Sequence, residues 1–414
     1  IEAYYEPELR GKKGVKYKLV NVRGIEKGAF KNGDLDTLSM PGENLQSTID
    51  LNLQLYGEYL MEGKRGSVVA IEPKSGEILS IISAPSYDPN VLTGAKFGEN
   101  YEVLNKDPDK PLFNRPIMAM YPPGSIFKIV QSLIGLQEGI ITPNTTFACN
   151  KALVNCHNHP SPVNLFGAIR NSCNPYYHQA FRQVINQEIS SNTYTDTQIG
   201  LDKWRESVLK FGLSNRLGID THGEKSGSIP SSALYDKIYG KGRWKYSTIY
   251  SLSIGQGEML VTPLQMANLA AIFANKGYYY TPHLIKSIND DPSRIPDKFK
   301  EKRDSGIDAK HFDLIQDAMA EALYGTATRA IMKDIEIAGK TGTAQNPAGE
   351  DHSVFIAFAP KDDPKIAISV YVENAGWGGR AAASTASLLI EKYLTGEINR
   401  PELEEYVLKG DFIY

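Results

Sequence analysis

A serine and a lysine three residues apart are the first candidates for chemistry, in the run Ser125-Ile126-Phe127-Lys128. On a helix, residues at this spacing lie on one face a turn apart, so the lysine amine can take a proton from the serine hydroxyl. The preceding Tyr-Pro-Pro-Gly cannot continue a helix backward and suits its first turn. We therefore predict a helix over residues 126–137, with Ser125 at its N-terminus as the nucleophile and Lys128 as its base.

The proposed base requires an unusual environment. A lysine has an ordinary pKa of about 10.4, so its deprotonation at pH 7 costs roughly 4.6 kcal/mol. Burial and a second positive charge both lower the pKa of a lysine, and Lys340 is the candidate for that second charge. Taken alone, the first motif is also compatible with a serine cap followed by a surface lysine.

The second motif is Ser172-Cys173-Asn174. Ser172 and Asn174 are separated by one residue, so in a tight loop both can face the same cleft while Cys173 points away. Taken alone, the surrounding Asn-Ser-Cys-Asn-Pro run is typical of a turn or helix cap.

The third motif, Lys340-Thr341-Gly342-Thr343, follows an apolar strand predicted over residues 335–339. An extended Thr-Gly-Thr edge presents backbone groups, and the missing side chain of Gly342 is expected to let a substrate strand approach closely. A lone Lys-Thr-Gly would otherwise indicate an ordinary strand end.

Three motifs of these types in this order are those of the penicillin-binding proteins and serine β-lactamases. Longer stretches resemble the class B penicillin-binding proteins of the penicillin-binding protein 2 group, which are elongation-specific peptidoglycan D,D-transpeptidases. The stretches that carry this resemblance are residues 121–124, 223–230, 253–257, 340–345 and 379–383. The resemblance implies that the enzyme crosslinks peptidoglycan stem peptides at D-Ala-D-Ala through a serine acyl-enzyme, that β-lactam antibiotics inhibit it covalently, and that catalysis needs no cofactor.

The resemblance also implies a role for each motif residue. Ser172 would relay a proton between Lys128 and the leaving amine, and Asn174 would hold the substrate amide. Thr341 and Thr343 would bind the terminal carboxylate, beside Gly342 and the positive charge of Lys340. The backbone N–H groups of Ser125 and Thr343 would form the oxyanion hole, in which losing one donor typically costs about 3 to 4 kcal/mol.

The fold class predicted from the strand and helix signals is α+β. Apolar strands near both ends of the chain bracket some two hundred residues of helices and loops. The strands are predicted at residues 67–71, 78–82, 335–339, 353–359 and 366–373, and further helices at 202–211, 263–275, 311–323 and 382–394. The resemblance implies the transpeptidase and serine β-lactamase-like fold: a five-stranded antiparallel sheet flanked by helices plus an all-helical lobe, with the active site between them.

The domain organisation and surroundings follow from the same resemblance. Residues 1–45 are interpreted as the remnant of an N-terminal pedestal or linker region, and residues 46–414 as the transpeptidase domain. A helix absent from this chain would anchor the protein at the periplasmic face of the bacterial inner membrane. The implied partners are a membrane-embedded rod-shape glycosyltransferase and scaffold proteins of the elongation complex. A net charge of −3 argues against a nucleic-acid partner.

All three cysteines and two histidines fall between residues 149 and 173, which is a ligand density typical of zinc. We predict a structural zinc ion held by Cys149, Cys156, Cys173 and His159, with His157 as the substitute fourth ligand. It would brace the loop that carries the second motif. The alternative is a Cys149–Cys156 disulfide, natural in an oxidising compartment, with Cys173 as a buried free thiol.

Other functions stay open at this point. A D,D-carboxypeptidase would use the same residues, since water competes with the acceptor amine. A β-lactamase would need an efficient hydrolytic base, and the Glu-Val-Leu-Asn run at 102–105 has the wrong spacing and precedes the nucleophile. A non-catalytic β-lactam sensor would carry Ser-x-Val rather than Ser-Cys-Asn as its second motif, and a scaffold would not require Ser125 and Lys128.

Overall fold

The computed structural model describes residues 1–413. The strands are β1 (Lys18–Val20), β2 (Glu26–Ala29), β3 (Leu45–Ser47), β4 (Gly66–Ile71), β5 (Ile78–Ala84), β6 (Tyr278–Tyr280), β7 (Ile285–Ile288), β8 (Lys302–Asp304), β9 (Ala338–Ala344), β10 (His352–Ala359) and β11 (Ile366–Val372). The helices are α1 (Glu6–Leu9), α2 (Leu51–Leu60), α3 (Phe97–Lys106), α4 (Arg115–Met118), α5 (Lys128–Gln137), α6 (Leu165–Arg170), α7 (Asn174–Ile185), α8 (Thr193–Leu209), α9 (Ser232–Tyr239), α10 (Tyr246–Ile249), α11 (Pro263–Ala274), α12 (Lys310–Thr326), α13 (Ala381–Thr395) and α14 (Pro401–Lys409).

The central sheet has five antiparallel strands in the order β5-β4-β11-β10-β9, so it joins strands from both ends of the chain. Strands β4 and β11 are buried along their whole length, as expected for a sheet with both faces covered. Helices α2 and α13 cover one face and α11 the other. The α+β prediction and the five-stranded antiparallel sheet are confirmed, and β9 is an edge strand of that sheet.

Three predicted elements differ from the structure. The third-motif strand begins at Ala338 instead of residue 335, because β10 pairs with β9 only from Ala338 to Ala344. The helix predicted at 202–211 is the second half of α8, which begins after Asn192. The Asn192 side chain accepts hydrogen bonds from two amides of the first turn, and the polar first turns of α8 lack the apolar periodicity of the rest. The chain also continues past the helix predicted at 382–394, into α14.

The N-terminal residues divide into a packed part and an exposed part. Tyr5 is buried, and its hydroxyl donates a hydrogen bond to Asp220 Oδ2 at 2.9 Å. Strand β3 pairs with β7, so residues on both sides of the predicted boundary at 45 join the same small sheet. Residues 18–29, by contrast, are exposed. Among residues 1–413, no helix has both the length and the apolar character needed to cross a membrane.

Candidate active site

The nucleophile lies on a tight turn that other segments hold in place. Residues Gly124–Phe127 form a 3-10 turn, and α5 follows from Lys128. Gly124 has a φ of +58°, a left-handed conformation that favours glycine, and its N–H donates to Gly255 O at 2.9 Å. The predicted helix is therefore confirmed with a tighter first turn, and Ser125 lines a cleft of about 580 Å³.

Lys128 is the link between the first and second motifs. Its side chain is fully buried, and its amine donates to Ser172 O at 2.7 Å, Ser172 Oγ at 3.1 Å and Asn174 Oδ1 at 2.5 Å. Within residues 1–413, no hydrogen bond joins Lys128 to Ser125. Catalytic hydrogen bonds are often formed only when substrate is bound, so this geometry is compatible with Lys128 as the base.

The environment of the two motif lysines changes their protonation. Burial lowers the pKa of Lys128 to about 7. Burial and, second, the charge of Lys128 hold the pKa of Lys340 well below its ordinary value. The pKa of Lys128 is lowered, as predicted, but the main cause is burial rather than the charge of Lys340. Near neutral pH a large fraction of Lys128 is therefore the neutral amine that a general base requires.

This pKa predicts a pH dependence. Because only neutral Lys128 can accept the Ser125 proton, the rate constant for acylation by a penicillin should rise with pH through about 7 and level off about one to two pH units above it. Stopped-flow or gel-based labelling between pH 5.5 and 9.5 measures this profile. A rate that keeps rising past pH 9, as an ordinary lysine requires, would contradict it.

The second motif has the predicted arrangement. Ser172 adopts a left-handed φ of +50°, and Asn174 begins helix α7. Both side chains turn toward Lys128, whereas Cys173 is fully buried on the other side of the loop. The amide nitrogen of the Asn174 side chain donates to Asn155 O at 2.7 Å, so the cysteine-containing segment fixes its orientation.

The third motif lies within β9, along the free edge of the sheet. Thr341 and Thr343 share one face of the strand because side chains alternate, and both line the cleft. The Thr341 hydroxyl donates to Thr326 Oγ1 at 2.9 Å, and Thr343 O accepts from Gln256 Nε2 at 3.1 Å. Lys340 is fully buried and donates to Thr341 O at 3.0 Å.

Gly342 has a different role from the one predicted. A Cβ built at Gly342 would lie 2.6 Å from Val354 Cγ1 and 3.1 Å from Pro123 O. The missing side chain therefore serves packing between β9, β10 and the nucleophile turn, not the approach of a substrate strand. A sequence cannot reveal which neighbour a glycine faces.

Gly378 supports the same strand from the other side. A Cβ there would lie 2.2 Å from Gly342 O and 2.6 Å from Val354 O, and both are backbone atoms that cannot move alone. We expect Gly378→Ala to cost about 1–3 kcal/mol of stability and to slow penicillin acylation by displacing β9. Gly98→Ala is the control, since a Cβ at Gly98 meets nothing within 4 Å in helix α3. Equal melting temperatures and acylation rates for the two variants would contradict this prediction.

The cleft brings the predicted catalytic residues together with others that lie outside the three motifs. Its lining includes Ser125, Ser172, Asn174, Thr341, Gly342 and Thr343, and also Gln256, Thr326, Asp351 and Trp377. Lys128 and Lys340 lie behind this surface. Gln256 lies in the stretch 253–257 that carries the family resemblance, whereas no local pattern distinguishes Thr326 from an ordinary polar residue.

The predicted zinc ligands form one group. The ligand atoms of Cys149, Cys156, Cys173 and His159 all lie within 4.8 Å of one another. His159 Nε2 lies 3.5 Å from Cys156 Sγ, and its Nδ1 lies 2.7 Å from Pro160 O. A carbonyl at this nitrogen fixes the tautomer that leaves Nε2 available to a metal. Three thiols and one imidazole match the donors of a structural Cys₃His zinc site.

Two further contacts tie this group to the second motif. Asn174 N donates to Cys156 Sγ at 3.4 Å, and Cys173 itself lies between Ser172 and Asn174. The Cys156 and Cys173 sulfurs interact so closely that the pKa of Cys156 is lowered and that of Cys173 is raised. His157, the substitute ligand, is exposed, lines the cleft and lies outside the group of four ligand atoms, although its contact with Cys156 also helps to lower the pKa of that thiol. All three cysteines are free thiols in the structure.

Comparison with known proteins decides the family. Residues 66–391 match the model of the penicillin binding protein transpeptidase domain, and this match includes all three motifs. The chain belongs to this penicillin-binding protein family. The peptidoglycan D,D-transpeptidase MrdA of Haemophilus influenzae is 31% identical over 98% of the chain, and the chain spans 64% of that relative's length.

Solved structures of the penicillin-binding protein family agree. Penicillin-binding protein 2 of Helicobacter pylori, in a complex with MreC, aligns with a TM-score of 0.75 and 27% identity over 95% of the chain and 72% of that protein. A chain from a peptidoglycan synthase complex, described as coordinating polymerization and crosslinking, aligns with a TM-score of 0.77 and 28% identity over 96% of the chain and 70% of that protein. The resemblance to the penicillin-binding protein 2 group and the transpeptidase fold are confirmed.

Proposed function

We propose that the chain is a peptidoglycan D,D-transpeptidase that forms an acyl-enzyme on Ser125. The observation that carries this proposal is the position of Lys128. This lysine is buried, its pKa is lowered to about 7, and its amine contacts Ser172 and Asn174. It follows Ser125 by three residues, beside a cleft bounded by the free edge of β9. The name of the Haemophilus influenzae relative agrees with this activity.

In the acylation step, neutral Lys128 takes the proton of Ser125, and Oγ attacks the carbonyl carbon between the two D-alanines. The backbone N–H groups of Ser125 and Thr343 stabilise the negative charge on the carbonyl oxygen. The C–N bond then breaks, and Ser172 relays the proton from Lys128 to the departing D-alanine amine. Ser172 is suited to this relay because its Oγ already lies 3.1 Å from Lys128 Nζ.

In the second step, an amine of a neighbouring stem peptide attacks the ester of the acyl-enzyme. Lys128, neutral again, accepts a proton from this amine, and the Ser125 oxygen leaves with a proton. If water attacks instead, the product is a shortened peptide, which is carboxypeptidase activity. A β-lactam follows the first step only, because its leaving nitrogen stays tethered to the acyl group.

The substrate is placed by the third and second motifs. A stem peptide pairs with the free edge of β9 by β-strand addition, and Asn174 holds its amide. The Thr341 and Thr343 hydroxyls bind the terminal carboxylate, and Lys340 supplies positive potential from behind the strand whenever it is protonated. Burial lowers the pKa of Lys340, and a bound carboxylate would favour its charged form by direct attraction.

The proposal extends to the zinc ion and to the partners. Cys149, Cys156, Cys173 and His159 would hold one structural zinc, which supplies a rigid crosslink between the segment 149–159 and the second-motif loop. Elemental analysis should find about one zinc per chain. Less than half an equivalent, together with a Cys149–Cys156 bridge in a peptide map, would contradict the zinc site.

For the whole protein we propose attachment to the periplasmic face of the bacterial inner membrane by an N-terminal helix outside this chain. Its partners would be a membrane-embedded rod-shape glycosyltransferase and scaffold proteins of the elongation complex. Support comes from the two solved relatives, one taken from a complex of polymerization and crosslinking and the other bound to MreC.

Product analysis tests the activity and separates its alternatives. The protein is incubated with uncrosslinked pentapeptide-bearing glycan strands, and the digest is analysed by mass spectrometry alongside a Ser125→Ala control. Released D-alanine with crosslinked dimers is the expected result. Released D-alanine with only tetrapeptide monomers would indicate a carboxypeptidase. A protein that binds penicillin covalently but releases no D-alanine would instead be a non-catalytic β-lactam sensor.

A further inference from the structure

A buried carboxylate lies behind the nucleophile turn, Gly124–Phe127, and has no part in the proposed mechanism. Glu373 follows β11, and its side chain is 11% exposed. Its Oε1 accepts hydrogen bonds from the Tyr121 hydroxyl at 2.7 Å and from Arg115 Nε at 2.9 Å, and its Oε2 lies 2.9 Å from an Arg65 guanidinium nitrogen. One carboxylate therefore joins donors from three separate segments of the chain.

The two arginines fix this carboxylate to the body of the fold. Arg65 lies directly before β4, and Glu373 N donates to Arg65 O at 2.8 Å. Arg115 is 2% exposed, and its other guanidinium nitrogens donate to backbone oxygens of the loop before α4. Burial by itself would raise the pKa of Glu373, but the hydrogen bonds from Tyr121 and Arg115 outweigh burial and lower that pKa. Glu373 is therefore a charged acceptor, held in place, for the Tyr121 hydroxyl.

Tyr121 is joined to the nucleophile by a short and stiff connection. Its backbone N–H donates to Val261 O at 2.9 Å, and its ring stacks on Tyr371 with the ring centroids 4.0 Å apart. Two prolines and Gly124 separate it from Ser125, and the ring of each proline fixes its φ. A shift of Tyr121 is therefore transmitted to Ser125 instead of being absorbed by the residues between them.

The nucleophile turn also lies directly against β9. A Cβ built at Gly124 would lie 2.8 Å from Thr343 O, so the two backbones are in close contact. Ser125 and Thr343 supply the two N–H groups of the proposed oxyanion hole, one from each side of this contact. The distance between these two donors is therefore set by the position of the turn against the strand, and a small displacement of the turn changes it.

We propose that Tyr121, held by Glu373, is a positioning residue for the acylation of Ser125. This inference rests on the proposed function. Tyr121 acts through the turn: it keeps Ser125 Oγ and the two oxyanion N–H groups in the relative positions that the attack requires. A purely structural role makes a different prediction, because it would change the free energy of unfolding without changing the rate constant of bond formation in the folded protein.

The test removes one hydroxyl group at each of two comparable tyrosines. Tyr121→Phe deletes the hydroxyl and keeps the ring that stacks on Tyr371. Tyr56→Phe is the matched control, because the Tyr56 hydroxyl also donates to a carboxylate oxygen, Glu404 Oε1, at 2.7 Å, and both tyrosines are partly buried. Tyr56 lies on α2, across the central sheet from α11.

Stopped-flow acylation by a chromogenic β-lactam over a range of concentrations gives the dissociation constant of the noncovalent complex and the rate constant of acylation. We expect this rate constant to fall roughly tenfold in Tyr121→Phe, below the hundredfold that a misplacement of about 1 Å can cost. The dissociation constant should stay unchanged, since the lost interaction affects only the reacting geometry. The rise in rate near pH 7 should also be kept, because the surroundings of Lys128 are the same.

Tyr56→Phe should lower the melting temperature by an amount similar to that in Tyr121→Phe and leave both constants unchanged. An unchanged acylation rate constant in Tyr121→Phe, or equal losses in the two variants, would mean a role in stability alone and would overturn the positioning role. A change confined to the dissociation constant would overturn it as well. If the unmodified protein forms no acyl-enzyme with the β-lactam, the proposed function itself fails, and the positioning role fails with it.

Discussion

Replacing Lys128 by methionine should slow acylation of Ser125 by a penicillin by roughly 10²–10⁴-fold, the usual contribution of a positioned general base. Methionine has a similar length and volume and is tolerated in a buried position. It cannot accept the Ser125 proton, and it removes the donor that Ser172 and Asn174 share. Labelling with a fluorescent penicillin over a range of times and concentrations gives the second-order rate constant.

A second buried lysine provides the matched control for this experiment. Lys64 is 8% exposed and burial also lowers its pKa. Among residues 1–413, its amine donates only to Glu62 O. Lys64→Met should therefore leave the acylation rate unchanged. The residual reaction of Lys128→Met should also lose the rise in rate near pH 7. A loss smaller than about tenfold in Lys128→Met, with the rise in rate retained, would mean that another group is the base.

The second large effect is expected from His159→Ala, which removes one of the four proposed zinc ligands. Zinc content should fall below half an equivalent. Loss of a metal held at a thousand times its dissociation constant removes about 4 kcal/mol of stability, which corresponds to a fall in melting temperature of roughly 5 °C for a chain of this size. Acylation should slow as well, because Cys156 and Cys173 no longer fix Asn174.

His157→Ala is the control, since His157 is two residues away and outside the ligand group. It should keep its zinc and its melting temperature. The disulfide alternative makes a different prediction: neither histidine contributes to a Cys149–Cys156 bridge, so both variants would keep the stability of the parent protein. If zinc is retained in His159→Ala and lost in His157→Ala, the fourth zinc ligand is His157 rather than His159.

Much of the fold follows from local patterns. The hairpin of β4 and β5 and that of β10 and β11 combine apolar, β-branched runs with clear turns, and the structure places both within one or two residues of the predicted bounds. Asp50 caps α2, because its side chain accepts from Leu53 N at 2.9 Å, and an aspartate before an apolar run is a local signal of a helix start. That the five strands form one antiparallel sheet is not a local property and was implied by the family resemblance, and their order is known only from the structure.

The candidate active site, like the fold, was predictable from the sequence only in part. The spacing within the first motif predicted that Ser125 and Lys128 share one face, and the spacing within the second predicted that Ser172 and Asn174 face one cleft. That the two motifs meet at Lys128 was implied by the family resemblance alone. The contacts of Thr326 with Thr341 and of Gln256 with Thr343 join segments that only tertiary packing brings together. The main cause of the lowered Lys128 pKa, complete burial, is likewise a property of the folded chain.

Covalent labelling of Ser125 tests the central claim most directly. The protein and Ser125→Ala are treated with a fluorescent penicillin and examined by intact-mass and peptide mass spectrometry. The predicted result is a stable adduct of one drug molecule on Ser125 that is absent from the variant. Rapid drug turnover without a lasting adduct would indicate a β-lactamase, and an adduct that persists in Ser125→Ala, or no reaction at all, would contradict the proposed acyl-enzyme.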